Sequence, residues 1–254
     1  MTQFKSSLLL STVIATMVGS LAMASVHAAE LYVSLEAGYA LGNATKDSQS
    51  RGSPGLLSGG DRFPSNNFSN TKISGGSGMV YGGGFGLVVS PNLSIDINLN
   101  YRKGKVEFRN DFKDPGNEML YAAKPSVSSL VLMPKLHYGV PLGGGFRVGG
   151  FAGIGITSNV TPDMVLEYRL GTESQNGKRS TDFAFTLGAE SSYELGFGTS
   201  LTLAAGYTSL GLAEWNKEVH WKARTGQVYS FDFSRGDKIA LESVDLMLGL
   251  RYGF

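Results

Sequence analysis

The 254-residue sequence contains no cysteine. That excludes a disulfide framework, a thiol nucleophile, a cysteine metal site and an acylated cysteine anchor. An excess of one charge is also missing, since 22 Lys plus Arg face 21 Asp plus Glu. Nucleic-acid binders carry a basic surplus, so that class is excluded. Long apolar runs are absent beyond the N-terminus, where about 20 residues would be needed for a transmembrane helix. A mature chain of this kind can enter a membrane only as a closed barrel, because only helices and barrels satisfy their backbone groups in lipid.

The N-terminus reads as a processing segment. Lys5 supplies a positive start, residues 8–17 form a short apolar stretch, and Val26-His27-Ala28 offers small residues at a cleavage site. A cleaved signal peptide over 1–28 is expected, with cleavage after Ala29 as the alternative. The mature chain, 29–254, is expected to be one outer-membrane β-barrel with four long extracellular loops.

What is abundant is glycine, 35 residues in all, about twice the average usage of about 7 per cent. Glycine weakens an ordinary strand, but a narrow barrel with bending strands has a use for it. Period-two alternation is the second positive signal. In residues 93–102, Leu93, Ile95, Ile97, Leu99 and Tyr101 alternate with Ser94, Asp96, Asn98, Asn100 and Arg102. Residues 31–41, 79–89, 130–140, 146–156, 183–193, 201–210 and 244–254 follow the same template. Eight such segments have the length of tilted membrane strands, roughly 9–11 residues.

Their connections alternate in length. Residues 90–92, 141–145 and 194–200 are short, whereas 42–78, 103–129, 157–182 and 211–243 are long and polar. Short periplasmic turns opposite long extracellular loops are the expected asymmetry of such barrels. Aromatic residues then fall into two belts. Tyr39, Tyr101, Phe183 and Tyr207 map to the outer rim, and Tyr138, Phe146, Tyr193, Tyr252 and Phe254 to the periplasmic rim.

With the final Leu248-x-Leu250-x-Tyr252-x-Phe254, this pattern resembles the small outer-membrane barrels of the OmpA, OmpX and opacity-protein type. The resemblance is to the barrel domain alone, with no periplasmic domain. It implies an all-β, eight-stranded antiparallel up-and-down transmembrane barrel of a Gram-negative outer membrane. It also implies that Leu248, Leu250, Tyr252 and Phe254 form the signal read by the barrel assembly machinery. Outer-membrane lipids and lipopolysaccharide are the implied surroundings, and host or environmental surface molecules are candidate partners.

Ionisable residues lie on the inward face of most strands: Glu36, Asp96, Arg102, Lys135, Arg147, Glu190, Asp245 and Arg251. Eight strands leave an interior that side chains fill, and a buried charge must be paired. A polar plug is therefore expected, with His137 as a further member. A narrow porin-like channel for small solutes is the alternative. Catalysis is not expected. Of three histidines, His27 lies at the cleavage site, and neither His137 nor His220 begins a His-x-Ser pair of the lipid-deacylase kind. A lipid-modifying enzyme is therefore the remotest reading, and no base–orienter pair for a serine nucleophile can be assembled. No metal or cofactor is expected.

Function is expected in the loops. Residues 217–224 and 227–235 alternate around Thr225-Gly226 as a hairpin rising above the membrane. Trp215, His220, Trp221, Lys222, Arg224 and Tyr229 are its candidate contact residues. A ten-stranded barrel, with this hairpin in the membrane, stays open as an alternative. A second hairpin is expected around residues 164–170 with Asn176-Gly177 as its turn signal. The Gly-, Ser- and Asn-rich stretch 42–78 is expected to be a mobile loop.

Overall fold

The computed structural model describes residues 30–46, 71–110, 124–168, 171–232 and 238–254. The expected signal peptide and most of the first long loop lie outside these residues. No helix among the described residues is long and apolar enough to cross a membrane; strands do the crossing.

Among the described residues eleven strands form in chain order: β1 (Glu30–Lys46), β2 (Thr71–Ser90), β3 (Leu93–Asn110), β4 (Ser126–Gly143), β5 (Phe146–Val160), β6 (Met164–Tyr168), β7 (Gly171–Gly177), β8 (Arg179–Gly196), β9 (Thr199–Ala223), β10 (Val228–Asp232) and β11 (Lys238–Gly253). Eight of them close an antiparallel ring, β1-β2-β3-β4-β5-β8-β9-β11, sealed by β11 against β1. The terminal bond is Phe254 N donating to Leu31 O at 2.9 Å. All eight membrane strands expected from alternation are present, and each continues beyond the outer rim. What reads as the margins of long loops is largely strand.

Alternation explains the two faces. Outward Leu35, Ile97, Leu187 and Leu203 are exposed to the surroundings, which is the arrangement lipid requires, while inward Tyr32, Asp96, Asn98 and Asp245 are buried. Aromatic pairs mark both rims, Tyr81–Tyr101 and Phe185–Tyr207 above and Phe146–Tyr193 and Tyr252–Phe254 below. Two periplasmic turns place both central residues at positive φ: Gly144-Gly145 at 60° and 82°, and Phe197-Gly198 at 52° and 73°. Such turns match the twist of the strands they join. Inward, Gly188 makes room for Phe151, since a Cβ there would stand 2.5 Å from the ring.

The remaining strands build a second layer. β9 has 25 residues. Its lower part pairs with β8 and β11, and its upper part with β7 and β10. A raised sheet of order β6-β7-β9-β10 results. This settles the strand number at eight in the ring. β10 has five residues, about half a membrane span, and among the described residues it pairs with β9 above the rim. The hairpin expected at residues 217–235 is present as β9 and β10. Asn176-Gly177, by contrast, is not a turn. The β6–β7 hairpin closes at Tyr168↔Gly171, and Gly177 sits at an irregularity of β7 against β9. Its N–H donates to Asp163 Oδ1 at 2.7 Å, so the backbone break is used for a bulge.

Candidate functional site

The lumen is filled by a polar tier and an apolar cluster. The polar tier rises from the end with the short turns to the level of the outer aromatic belt. Arg102 on β3 and Asp245 on β11 form a two-pronged pair, Nη1–Oδ1 at 3.0 Å and Nη2–Oδ2 at 2.6 Å. The same carboxylate accepts from Thr208 Oγ1 and Ser243 Oγ, both at 2.7 Å. Four donors on one buried carboxylate satisfy its lone pairs, which is what makes a charge tolerable there. Lys135 donates to Glu36 at 3.3 Å. His137 stands between two acids, its Nδ1 3.0 Å from Glu190 and its Nε2 3.2 Å from Asp96. Tyr32 donates to Asp96 Oδ2 at 3.4 Å.

Six of the eight expected lumen residues thus pair within this tier: Glu36 with Lys135, Arg102 with Asp245, and Asp96 and Glu190 through His137. Two depart from the expected ion-pair plug. Arg147 is drawn to the rim, where its guanidinium donates to the backbone carbonyls of Pro91 and Gly139 and ties down the first periplasmic turn. Arg251 lies over the ring of Tyr32, 4.2 Å from its centroid. A cation–π contact takes the place of a carboxylate there. Alternation by charge alone overlooks the neutral members, Tyr32, Thr208 and Ser243. Their signal was available, because each occupies an inward position of its strand. Below this tier an open cup of about 400 Å³ faces the periplasm, lined among others by Tyr32, His137, Glu190 and Arg251.

Apolar side chains interleave with the polar tier and extend past it. Val131 and Met133, level with Asn100 and Asn98, join Val106, Val127, Leu210 and Leu241 in one buried cluster that runs upward into Trp215, Trp221, Met164 and Leu166 of the raised sheet, beside the buried and hydrogen-bonded Ser129, Thr157 and Asn159. This corrects the assignment of both tryptophans as surface contacts. Trp215 and Trp221 are 1% and 6% exposed. Trp215 Nε1 donates to Pro162 O at 2.9 Å. They point inward because β9 keeps its alternation above the rim, and Met164 and Leu166 of β6 join them in the same buried cluster. Tyr229 packs against the same cluster, partly buried, with its hydroxyl donating to Gln227 Oε1 at 2.6 Å. His220 is tied to Ser230 Oγ at 2.8 Å. Lys222 and Arg224 are exposed as expected.

At the junction of barrel and raised sheet, Glu214 receives Lys178 and Lys238, each at 2.6 Å. Burial works against the Glu214 charge, but the two ammonium groups outweigh it and hold its carboxyl below the usual range. Leu248, Leu250, Tyr252 and Phe254 all face outward and are exposed.

No curated protein matches this chain in sequence. Solved structures of similar shape include Neisserial surface protein A, at 10% identity and TM-score 0.46, covering 90% of this chain and 100% of that one. OprG from Pseudomonas aeruginosa aligns at 15% identity and TM-score 0.45, over 88% and 95% of the two chains. The outer membrane protease OmpT from Escherichia coli aligns at 12% identity and TM-score 0.47, over 89% and 97%. Likeness at this level says nothing of shared activity. The family model "Outer membrane protein beta-barrel domain" matches residues 10–229. With the closed ring of eight strands and its lipid-facing apolar wall, this chain belongs to that family and is a multi-pass β-barrel of the outer membrane.

Proposed function

We infer that the chain is a closed surface barrel with an envelope-structural and interaction role, exercised through the sheet it raises above the membrane. The observation that carries this reading is the continuous apolar cluster from Val106 and Val131 up to Trp215 and Trp221. A hydrated path along the axis would have to cross it, and apolar constrictions resist wetting. The raised sheet is built on β9, a strand of the ring, which favours a surface that presents residues such as Lys222 and Arg224 beyond the membrane. A narrow channel for small solutes is the second reading, favoured by the open polar cup.

Planar-bilayer recording separates the two. A closed barrel gives no steady current, and a steady single-channel conductance of the purified protein overturns the reading. Whole cells with and without the protein are then compared for binding to host and matrix components. Lost binding when β6–β7 is replaced by a short turn assigns the contact to the raised sheet, and equal binding across the panel leaves the envelope role alone. The reading includes no catalysis, so expression should leave the mass of lipid A unchanged.

A further inference from the structure

The periplasmic cup holds ionised groups that the polar tier above it does not use. Glu190 there is engaged by His137, and Arg147 by the carbonyls of Pro91 and Gly139. Arg251, Glu30 and Glu194 also line the cup. Their side chains have no ion-pair or hydrogen-bond partner among the described residues. The cup measures about 400 Å³, within the range of about 300–1,000 Å³ usual for small-molecule sites.

Arg251 is held in place without being neutralised. Its guanidinium lies 4.2 Å from the centroid of the Tyr32 ring, and Tyr32 is itself fixed by donating to Asp96. Its Nε is buried and meets no acceptor among the described residues, which leaves the two Nη nitrogens as the donors for an incoming anion. A guanidinium presents them to a carboxylate as a planar fork. Strand register sets the acids around it. Arg251 pairs with Ser200, and Ser200 with Glu194. Base and acid therefore stand in one inward row, two strands apart, about 10 Å between their Cα positions. Glu30 enters from the other side. Its carboxylate lies over Gly253, where a Cβ would stand 2.4 Å from Oε1. Gly253 is one inward step below Arg251. Inward side chains of a narrow ring point to its axis, so the three charges converge on one volume.

We propose that the cup binds a small zwitterion, a short peptide with free amino and carboxyl ends. Its carboxylate meets Arg251, and its ammonium meets Glu194 with Glu30 alongside. A simple anion would face the three carboxylates of Glu30, Glu190 and Glu194, and a simple cation the guanidiniums of Arg147 and Arg251. A ligand carrying both charges, held apart, suits the wall where neither ion does. An extended dipeptide spans about 7 Å, which leaves room for both side chains within the row. Ser200 stands between the two charges and Ser192 lies one row higher, so hydroxyls are at hand for the peptide amide. The site depends neither on what the raised sheet binds nor on whether the lumen conducts.

Calorimetric titration of the folded barrel in uncharged detergent micelles with L-alanyl-L-alanine tests this. Saturable binding is expected. The N-acetylated dipeptide keeps only the carboxylate, and the dipeptide amide keeps only the ammonium. Each should bind about ten-fold more weakly or worse, the effect of losing one hydrogen-bonded charge. Arg251→Gln and Glu194→Gln should each weaken the dipeptide by a similar factor while still migrating as folded barrels before boiling. Lys222→Ala, on the raised sheet, should bind as wild type does. Absence of saturable binding to wild type overturns the proposal. So does equal binding of either single-charge analogue, or unchanged affinity in the two glutamine variants. Should Arg251→Gln fail to fold, the two analogues on wild type decide alone.

Discussion

Asp245→Ala isolates the polar tier of the lumen. The substitution leaves the Arg102 guanidinium, in a residue 9% exposed, without its carboxylate. It also leaves the Thr208 and Ser243 hydroxyls without the acceptor they share at 2.7 Å. Removing one partner of a buried ion pair costs about 3–5 kcal/mol, mostly because the other charge stays behind. The two further lost hydrogen bonds place the expectation at the upper end of that range. Removing both charges is different. Arg102→Met with Asp245→Leu fills the space with apolar groups and should return to within about 1 kcal/mol of wild type. Asp232→Ala is the control. Its partner Lys217 lies at a similar distance, 3.0 Å, but the two side chains are 65% and 56% exposed. The cost there should stay below about 1 kcal/mol. Equilibrium unfolding in micelles, read by the fluorescence of buried Trp215 and Trp221, measures all three. An Asp245→Ala barrel within about 0.5 kcal/mol of wild type, or a double variant as unstable as the single, refutes the paired-charge account of the lumen.

Trp215→Ala should cost about 3–5 kcal/mol by emptying the cluster beneath the raised sheet, and protease nicking in residues 164–177 of intact cells should rise with it. The depressed Glu214 carboxyl stabilises the barrel–sheet junction at pH values above the ordinary carboxylate pKa, about 4.3, and that contribution is lost as pH falls through its lower folded value. Protease resistance of the raised sheet should therefore fall below about pH 4, and Glu214→Gln should flatten that pH dependence; an unchanged profile in the variant would count against it. Ile97→Arg, on the lipid face and 59% exposed, should cost about 2–4 kcal/mol in a bilayer and far less in a soluble environment. Deleting Phe254 should lower the amount of barrel at the cell surface more than the unfolding midpoint of what does assemble, and normal surface levels would argue against a C-terminal assembly signal.

Membrane strands were readable because lipid and lumen impose opposite demands on alternate residues. The rule weakens toward the outer rim, where both sides of a strand can be apolar. On β4, Leu130 and Leu132 face outward and are exposed, while Val131 and Met133 between and beyond them are buried. One apolar run thus hides two environments. Pairing inside the lumen was legible only as a requirement. Arg102 and Asp245 are 143 residues apart, and nothing local to either marks the other. The tryptophans were misplaced for a related reason. Their burial depends on β7 arriving alongside β9 from a distant segment. Asn176-Gly177 carries turn chemistry, but the sheet uses the missing side chain instead: beside the irregularity of β7 against β9, a Cβ on Gly177 would stand 2.1 Å from Thr161 O.

β9 belongs to the ring and to the raised sheet without a chain break between them. A tug on the outer sheet is therefore carried by one backbone directly into the membrane. There the load runs parallel to the strand, along its ladders with β8 and β11. In that direction the hydrogen bonds of a ladder share the force and must fail together, whereas a load across the strands would part them singly. Anything that grips the raised sheet pulls on the barrel in shear, the direction in which a sheet is hardest to tear.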